Sequence, residues 1–490
     1  MLATVEREAA LRGASIGRRP LTMEKERPRS GQVMSEFSVA GQPVVVMGAA
    51  RSGTAAATLL AERGARVTLT DLRESLPDSS DAERLRHAGV SLELGGHLSA
   101  TLAAASLIVV SPGVPLSQPA LQAARQAGVP IVGEVDLAAR WLRGRIIAIT
   151  GTKGKSTTTT LAGRMLEAAG MTTLVGGNIG LPLSAQVATS TPETIHVVEV
   201  SSFQLETIET FHPWIAVLLN FSPDHLDRHA SVEEYARAKA RVFENQNERD
   251  WMVINADDPA ALALARAGRA RRVPFSSRTP LESGVVVGLD AIHFRQSGLD
   301  EMLIPLSAVK LLGPHLVADV AAAAAVAKLA GVSAATMTRA VESFPGLEHA
   351  LEPVAEVRGV RFVNDSKATN VEAALRAIES FGPGLVVIMG GRYKGGDFGR
   401  LRQPLIARGA TVVAIGEARP QIVEALADAV PVQDVSSWGD AVRRAFEAAR
   451  PGGTVLLAPA CASFDMFVDY AERGRAFKQE VARLAGASSE

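Results

Sequence analysis

Apolar runs of four or five residues recur along the chain, separated by polar turns and alanine-rich stretches. They are Val44–Met47, Val67–Thr70, Leu107–Val110, Ile146–Thr150, Val197–Val200, Val217–Asn220, Met252–Asn255, Leu385–Met389, Val412–Ile415 and Val455–Ala458. Each predicts a short strand, and segments such as Asp319–Leu329 predict helices between them. That alternation predicts an α/β fold with parallel sheets, and there are too many strands for one compact sheet.

Three blocks emerge. Residues 38–143 open with their own strand–turn–helix and predict a Rossmann-like N-terminal domain. Residues 144–344 predict a central sheet of P-loop ATPase type. Within it "GVVVGLDAIHF" and "MLIPLSAVKLLG" predict hairpin strands, a small antiparallel patch over residues 270–312. Residues 345–490 predict a C-terminal Rossmann-like domain, beginning where Pro345 and Gly346 break a helix. Residues 1–37 stand apart. Within the first 33 of them, seven Arg and Lys residues, four Glu residues and no apolar core argue against a signal or transit peptide and predict a disordered extension, with Met34 as the expected initiator.

Composition narrows the function classes. Lys+Arg is 51 and Asp+Glu 52, a formal net charge of -1, so no basic excess points to nucleic acid. The single cysteine, Cys461, excludes a disulfide framework and a multi-cysteine zinc site, and is expected to be a small buried core residue. No apolar stretch is long enough to span a bilayer as a helix.

The clearest chemistry lies in residues 148–160, "AITGTKGKSTTTT". A strand enters a glycine turn and leaves as a helix, so backbone N–H groups face an anion. Gly151, Thr152, Lys153, Gly154, Lys155, Ser156 and Thr157 form this phosphate loop, in a shorter G-x-x-G-K-S spacing. Lys155 is placed to reach the β- and γ-phosphates of ATP or GTP, and Ser156 or Thr157 to ligate Mg²⁺. Glu199, ending the next strand, is a second candidate for the metal, or else a solvated loop residue. "NFSPDHLDRH" gathers Asp224, His225, Asp227, Arg228 and His229 where ligands bind in open α/β sheets; the plainer alternative is a polar capping loop. Residues 235–243, "YARAKARVF", read by themselves as a solvated basic helix face.

The N-terminal block carries "VVVMGAARSGTAAATLLAERGARVTLTD", similar to a dinucleotide fingerprint but with Ala50 at the middle glycine. The substitution lowers the case for NAD. Asp71, ending the second strand, remains a candidate for a ribose or uracil edge, the alternative being a Rossmann-like domain without a ligand.

In order along residues 38–486, "GTKGKSTTT", "GGNIG", "EVSSFQLE", "NFSPDHLDRH", "YARAKARVFEN", "NDSKATN", "GGRYKGGDF" and "PACASFDMF" together resemble the Mur ligases. "SSFQLE", "NDSKATN" and "ACASFDMF" resemble the D-glutamate-adding branch. The resemblance implies three domains that bind a UDP-sugar substrate, ATP and an amino acid. It implies that D-glutamate joins UDP-N-acetylmuramoyl-L-alanine through an acyl phosphate, in a bacterial cytoplasm, by a chain expected to be monomeric. It also implies that Lys155, Glu199, His225 and Lys239 are catalytic. Ser156 and Glu199 would lie near one Mg²⁺ and His225 near a second, with Lys239 carbamylated. Asp365 and Lys367 would lie at the ATP-facing edge. Ser52, Asp71, Arg73, Gly113 and Asn178 would meet the UDP substrate, and Thr369, Lys394, Ser463 and Tyr470 the D-glutamate.

The chain departs from the family pattern at Lys153, where asparagine is common, at Ala350 in "HALE", and at Leu316 and Asp319 in "GPHLVAD". Rival readings are another Mur ligase or a folylpolyglutamate synthase, opposed by the C-terminal motifs. A non-catalytic nucleotide-binding protein of the same fold is supported only by Ala350 and the adenine-site changes. The expected hinge for domain closure is Ser343–Glu348.

Overall fold

The computed structural model describes residues 37–76, 79–226, 228–311 and 313–486. The expectations placed on residues 1–36, and on Asp227, lie outside the described residues.

Three sheets organise residues 39–486. The first runs Ser91–Leu94, Arg66–Asp71, Pro43–Met47, Leu107–Val110, Ile131–Gly133, all parallel. Its order reverses direction at Pro43–Met47, so a crevice opens beyond the ends of that strand and of Leu107–Val110. The turn there depends on Gly53, because a Cβ at that position would lie 1.8 Å from the Gly48 carbonyl oxygen. The helix Arg51–Glu62 can start so close to the strand only with glycine at that point.

The second sheet has nine strands, with Arg145–Thr150 between Ile215–Leu218 and Ile195–Glu199. The expected antiparallel patch exists as Gly284–Val287, Ala291–Gln296 and Leu299–Pro305. It is not separate: Arg271–Ser276 pairs in parallel with Gly284–Val287, so the hairpins extend the same sheet to its edge. Two helices cover one face, Lys155–Ala168 and Pro314–Leu329. Five consecutive alanines, Ala321–Ala325, are at most 1% exposed and let these helices approach closely.

The third sheet has six strands, order Glu352–Val357, Val360–Asn364, Thr454–Leu457, Leu385–Gly390, Thr411–Ile415, Val432–Asp434. Only its first pair is antiparallel. Leu316, from the start of Pro314–Leu329, belongs to the core of this third layer beside Val371 and Ala374. The connection from the second sheet to the third carries two non-glycine residues in the left-handed region, His349 (φ 65°) and Leu351 (φ 46°). Among the described residues no helix is long and apolar enough to cross a membrane.

Candidate active site

The phosphate loop lies between the end of Arg145–Thr150 and the start of Lys155–Ala168. Gly154 is the helix cap at φ 82°, and a Cβ there would lie 2.2 Å from Asp319 Oδ1. Glycine is therefore required twice over, by the backbone angle and by the neighbour. Thr152 is fixed by its hydroxyl, which donates to the Ser222 carbonyl and lies 3.2 Å from the Tyr235 hydroxyl. Lys153 is held at both main-chain groups by the Asn220 amide, at 2.9 and 3.1 Å. Its ammonium pairs with Asp224 at 3.2 Å.

Around this loop cations crowd. Lys155 curls back so that its amino group donates to the Gly151 and Thr152 carbonyls, at 3.1 and 3.0 Å. Burial pulls its pKa below the usual lysine range; Glu199 opposes this, while Lys153 and Lys367 add to it. Lys239, 1% exposed, donates to the same Gly151 carbonyl at 2.8 Å and lies over the Tyr235 ring. Burial first, then Lys155, holds its pKa well below the ordinary value. Lys367 arrives from the third sheet, and its amino group donates to Ser156 Oγ at 3.0 Å. Asp365 beside it is buried, and that burial raises its pKa to about 7.

Glu199 is 2% exposed at the end of its strand. Its Oε1 accepts from the Asn178 amide at 2.7 Å, while Oε2 is buried without a hydrogen-bond partner. The short helix Ser202–Leu205 that follows is started by a reciprocal Ser201–Gln204 cap, which fixes the chain direction after Glu199. His225 sits at φ 55°, exposed, with its ring centre 5.1 Å from that of Phe203. A carboxylate oxygen left without a donor, with a serine hydroxyl on the phosphate loop, is the hard oxygen set that suits Mg²⁺ shared with phosphates. The residues present therefore fit a metal–nucleotide complex.

Beyond the crevice of the first sheet is a cleft of 480 Å³. Ser52, Asp71, Arg73, Gly113 and Asn178, the five residues expected at the UDP substrate, all line it. Asp71 is already saturated: Oδ1 accepts from the Arg73 backbone N–H and Nε, and Oδ2 from Arg73 Nη2 and the Ala49 N–H. Those bonds to Arg73 hold its carboxyl well below the usual range.

In the third layer, the loops carrying Lys394 and Ser463 are joined by paired main-chain bonds between Arg392 and Ala462. Lys394 lies over the Phe464 ring, Ser463 is buried, and Thr369 follows Lys367 on the adjoining loop. The Tyr470 carbonyl accepts from the Ser366 hydroxyl at 2.8 Å. Arg473, which the sequence reading missed, is 0% exposed and bonds to Ser366 and to the Cys461 carbonyl, pinning these loops together. Cys461 is buried, as expected. Also missed were Arg51 and His97, which line the cleft. Of the departures, Asp319 is buried with Oδ2 unpartnered, and burial raises its pKa to about 7.

A family model described as Mur ligase middle domain matches residues 149–327. One described as Mur ligase MurD-like, N-terminal domain, matches residues 42–133, and one described as Mur ligase, glutamate ligase domain, matches residues 351–461. The chain is 47% identical to the UDP-N-acetylmuramoylalanine–D-glutamate ligase of Acidobacterium capsulatum, over 92% of this chain and 98% of that protein. It is 43% identical to the ligase of the same name from Koribacter versatilis, over 92% and 99%. Among solved structures, it resembles a pseudomurein peptide ligase type C from Methanothermus fervidus (TM-score 0.57, 16% identity, 91% of this chain and 100% of that one). It also resembles the UDP-N-acetylmuramate-alanine ligase MurC of Thermotoga maritima (TM-score 0.57, 18% identity, 92% and 100%). At those identities the two structures speak to the fold alone.

Proposed function

The chain belongs to the Mur ligase family, and from that premise we propose which of its residues carry the reaction. It is an ATP-dependent, amide-bond-forming ligase that adds D-glutamate to UDP-N-acetylmuramoyl-L-alanine in peptidoglycan precursor synthesis. A carboxylate is a poor electrophile. The alanyl carboxylate oxygen therefore attacks the γ-phosphorus of ATP, releasing ADP and leaving an acyl phosphate. The D-glutamate amine then attacks the acyl carbon, loses a proton, and phosphate departs.

The observation that carries this reading is the convergence on one glycine loop of Lys155, Glu199, Lys239 and Lys367, from four separate segments. Two anions must meet here, and fixed cations offset their repulsion. We assign Lys155 to the γ-phosphate and Lys367, with Asp365, to the nucleotide edge. Ser156 and Glu199 would hold Mg²⁺, with His225 at a second ion. Mg²⁺ supplies charge screening and orients the phosphates. Asn178 supports this by orienting Glu199 from the substrate side.

Lys239 is assigned as carbamylated: its ammonium gives up one proton, the neutral amine adds CO₂ and gives up a second, and a cation thus becomes a carbamate anion able to ligate metal. Its burial beside Lys155, with its hydrogen bond to a carbonyl, supports this. A carbon-13 carbamate signal in labelled bicarbonate, missing in Lys239→Ala, tests it. We assign residues 38–143 to the UDP substrate, 144–344 to ATP, and 345–490, with Thr369, Lys394, Ser463 and Tyr470, to D-glutamate. ATP and nucleotide-linked sugars are water-soluble, which supports a cytoplasmic reaction.

The deciding experiment mixes the protein with Mg²⁺-ATP, UDP-N-acetylmuramoyl-L-alanine and a panel of amino acids, and measures phosphate release. Release with D-glutamate alone is expected. Preference for meso-diaminopimelate or L-lysine, or no release at all, overturns the reading.

A further inference from the structure

The cleft of the first sheet has an uneven charge distribution. Its charged and titratable lining residues, among those described, are Arg51, Asp71, Arg73 and His97. Asp71 and Arg73 neutralise each other through a two-pronged ion pair. His97 lies 2.9 Å from the Thr70 hydroxyl, and burial keeps it towards its neutral form. Arg51 is the cation left facing the space. A nucleotide-sugar brings a dianionic diphosphate, and a guanidinium with five N–H donors suits it.

Arg51 also crosses out of its own layer, donating through Nη2 to the Gly180 carbonyl of the second layer. Gly180 is two residues beyond Asn178, whose amide holds Glu199 Oε1. A reciprocal contact runs the other way. Arg228, in the His225 loop, donates to the Gly113 carbonyl at 3.1 Å and stacks on Phe203 at 4.5 Å. Its own N–H donates to the His225 carbonyl. Each arginine thus ties a cleft loop to a loop bearing a residue of the phosphate site.

We propose that Arg51 receives the diphosphate of the nucleotide-sugar, and that the reciprocal contacts Arg51–Gly180 and Arg228–Gly113 couple filling of the cleft to the phosphate site. The identity of the anion rests on the proposed function; the coupling rests on the geometry.

Calorimetric titration of the full chain with UDP, and with a non-hydrolysable ATP analogue plus Mg²⁺, tests this without D-glutamate or turnover. The ligation assay can therefore fail while this inference stands, and the reverse. Arg51→Leu is expected to weaken UDP binding by about tenfold and to flatten its salt dependence, with Arg51→Lys restoring the salt dependence and only part of the affinity. In the unsubstituted chain, saturating UDP tightens the ATP analogue by about fivefold, and Arg51→Leu or Arg228→Leu removes that gain. An unchanged unfolding midpoint separates these effects from misfolding, and Arg51→Gln replaces Arg51→Leu if the latter does not fold. UDP affinity within about twofold of the original in the Arg51 variants, no tightening in the unsubstituted chain, or tightening that survives both substitutions overturns the proposal.

Discussion

The cleft of the first sheet and the phosphate loop of the second are built from the same local device, a strand turning through glycine into a helix. They differ in charge. In the cleft, Asp71 has every lone-pair position filled and Arg73 is its partner, so recognition is organised before a ligand arrives. At the phosphate loop, Lys153, Lys155 and Lys367 crowd together opposite Glu199 and Asp224. That site is held under like-charge repulsion that phosphate anions relieve. One site selects by shape and hydrogen-bond edges, while the other stores electrostatic cost that ligand binding releases.

Four substitutions break or sharpen this contrast. Lys155→Ala has the largest expected effect, a fall of about 1,000-fold in kcat/KM measured by phosphate release. The unfolding midpoint of the ligand-free chain should hold or rise, because a poorly compensated buried cation is gone. Activity within about tenfold of the original would deny Lys155 its role. Gly154→Ala comes next: the new methyl meets Asp319, the loop shifts, and turnover drops by about 100-fold. Asp71→Asn acts on the preformed side. It frees Arg73 and raises KM for the UDP substrate by about tenfold with kcat retained; a fall in kcat at unchanged KM would show instead that Asp71 does not act by holding the substrate.

The smallest effect is a pH slope. Asp319 and Asp365 have pKa values raised from 3.8 to about 7 by burial, so the folded chain binds more protons than the unfolded one between those values. Stability contributed below the unfolded value is lost as pH rises through the folded one. The unfolding midpoint of the ligand-free chain should fall from about pH 4 towards about pH 7 through these groups, and level off above. Asp319→Asn should flatten that slope and raise the midpoint at about pH 8 by about 2 °C. An unchanged slope would mean that Asp319 is not held protonated.

The sequence disclosed the fold where strands were apolar and central. All ten runs proved to be strands or to overlap them within a residue or two. It did not disclose Ser91–Leu94 or Val432–Asp434, which carry half-exposed or exposed positions at sheet edges. Glu352–Val357 was hidden for the same reason. The hairpin patch was legible as strands but not as part of the larger sheet, because pairing across Arg271–Ser276 leaves no local signature. In the site, residues with motif spacing could be named in advance. The tethering roles of Arg51, Arg228 and Arg473 could not, since each works by reaching backbone carbonyls in loops away from its own segment.

The alanine run Ala321–Ala325 has an evolutionary consequence. With no spare volume beside Lys155–Ala168, a larger side chain there costs about 1–3 kcal/mol in overpacking. Drift in this helix is therefore closed along its middle, and its leading end is tied as well, with Leu316 in the core of the third layer and Asp319 buried against Gly154.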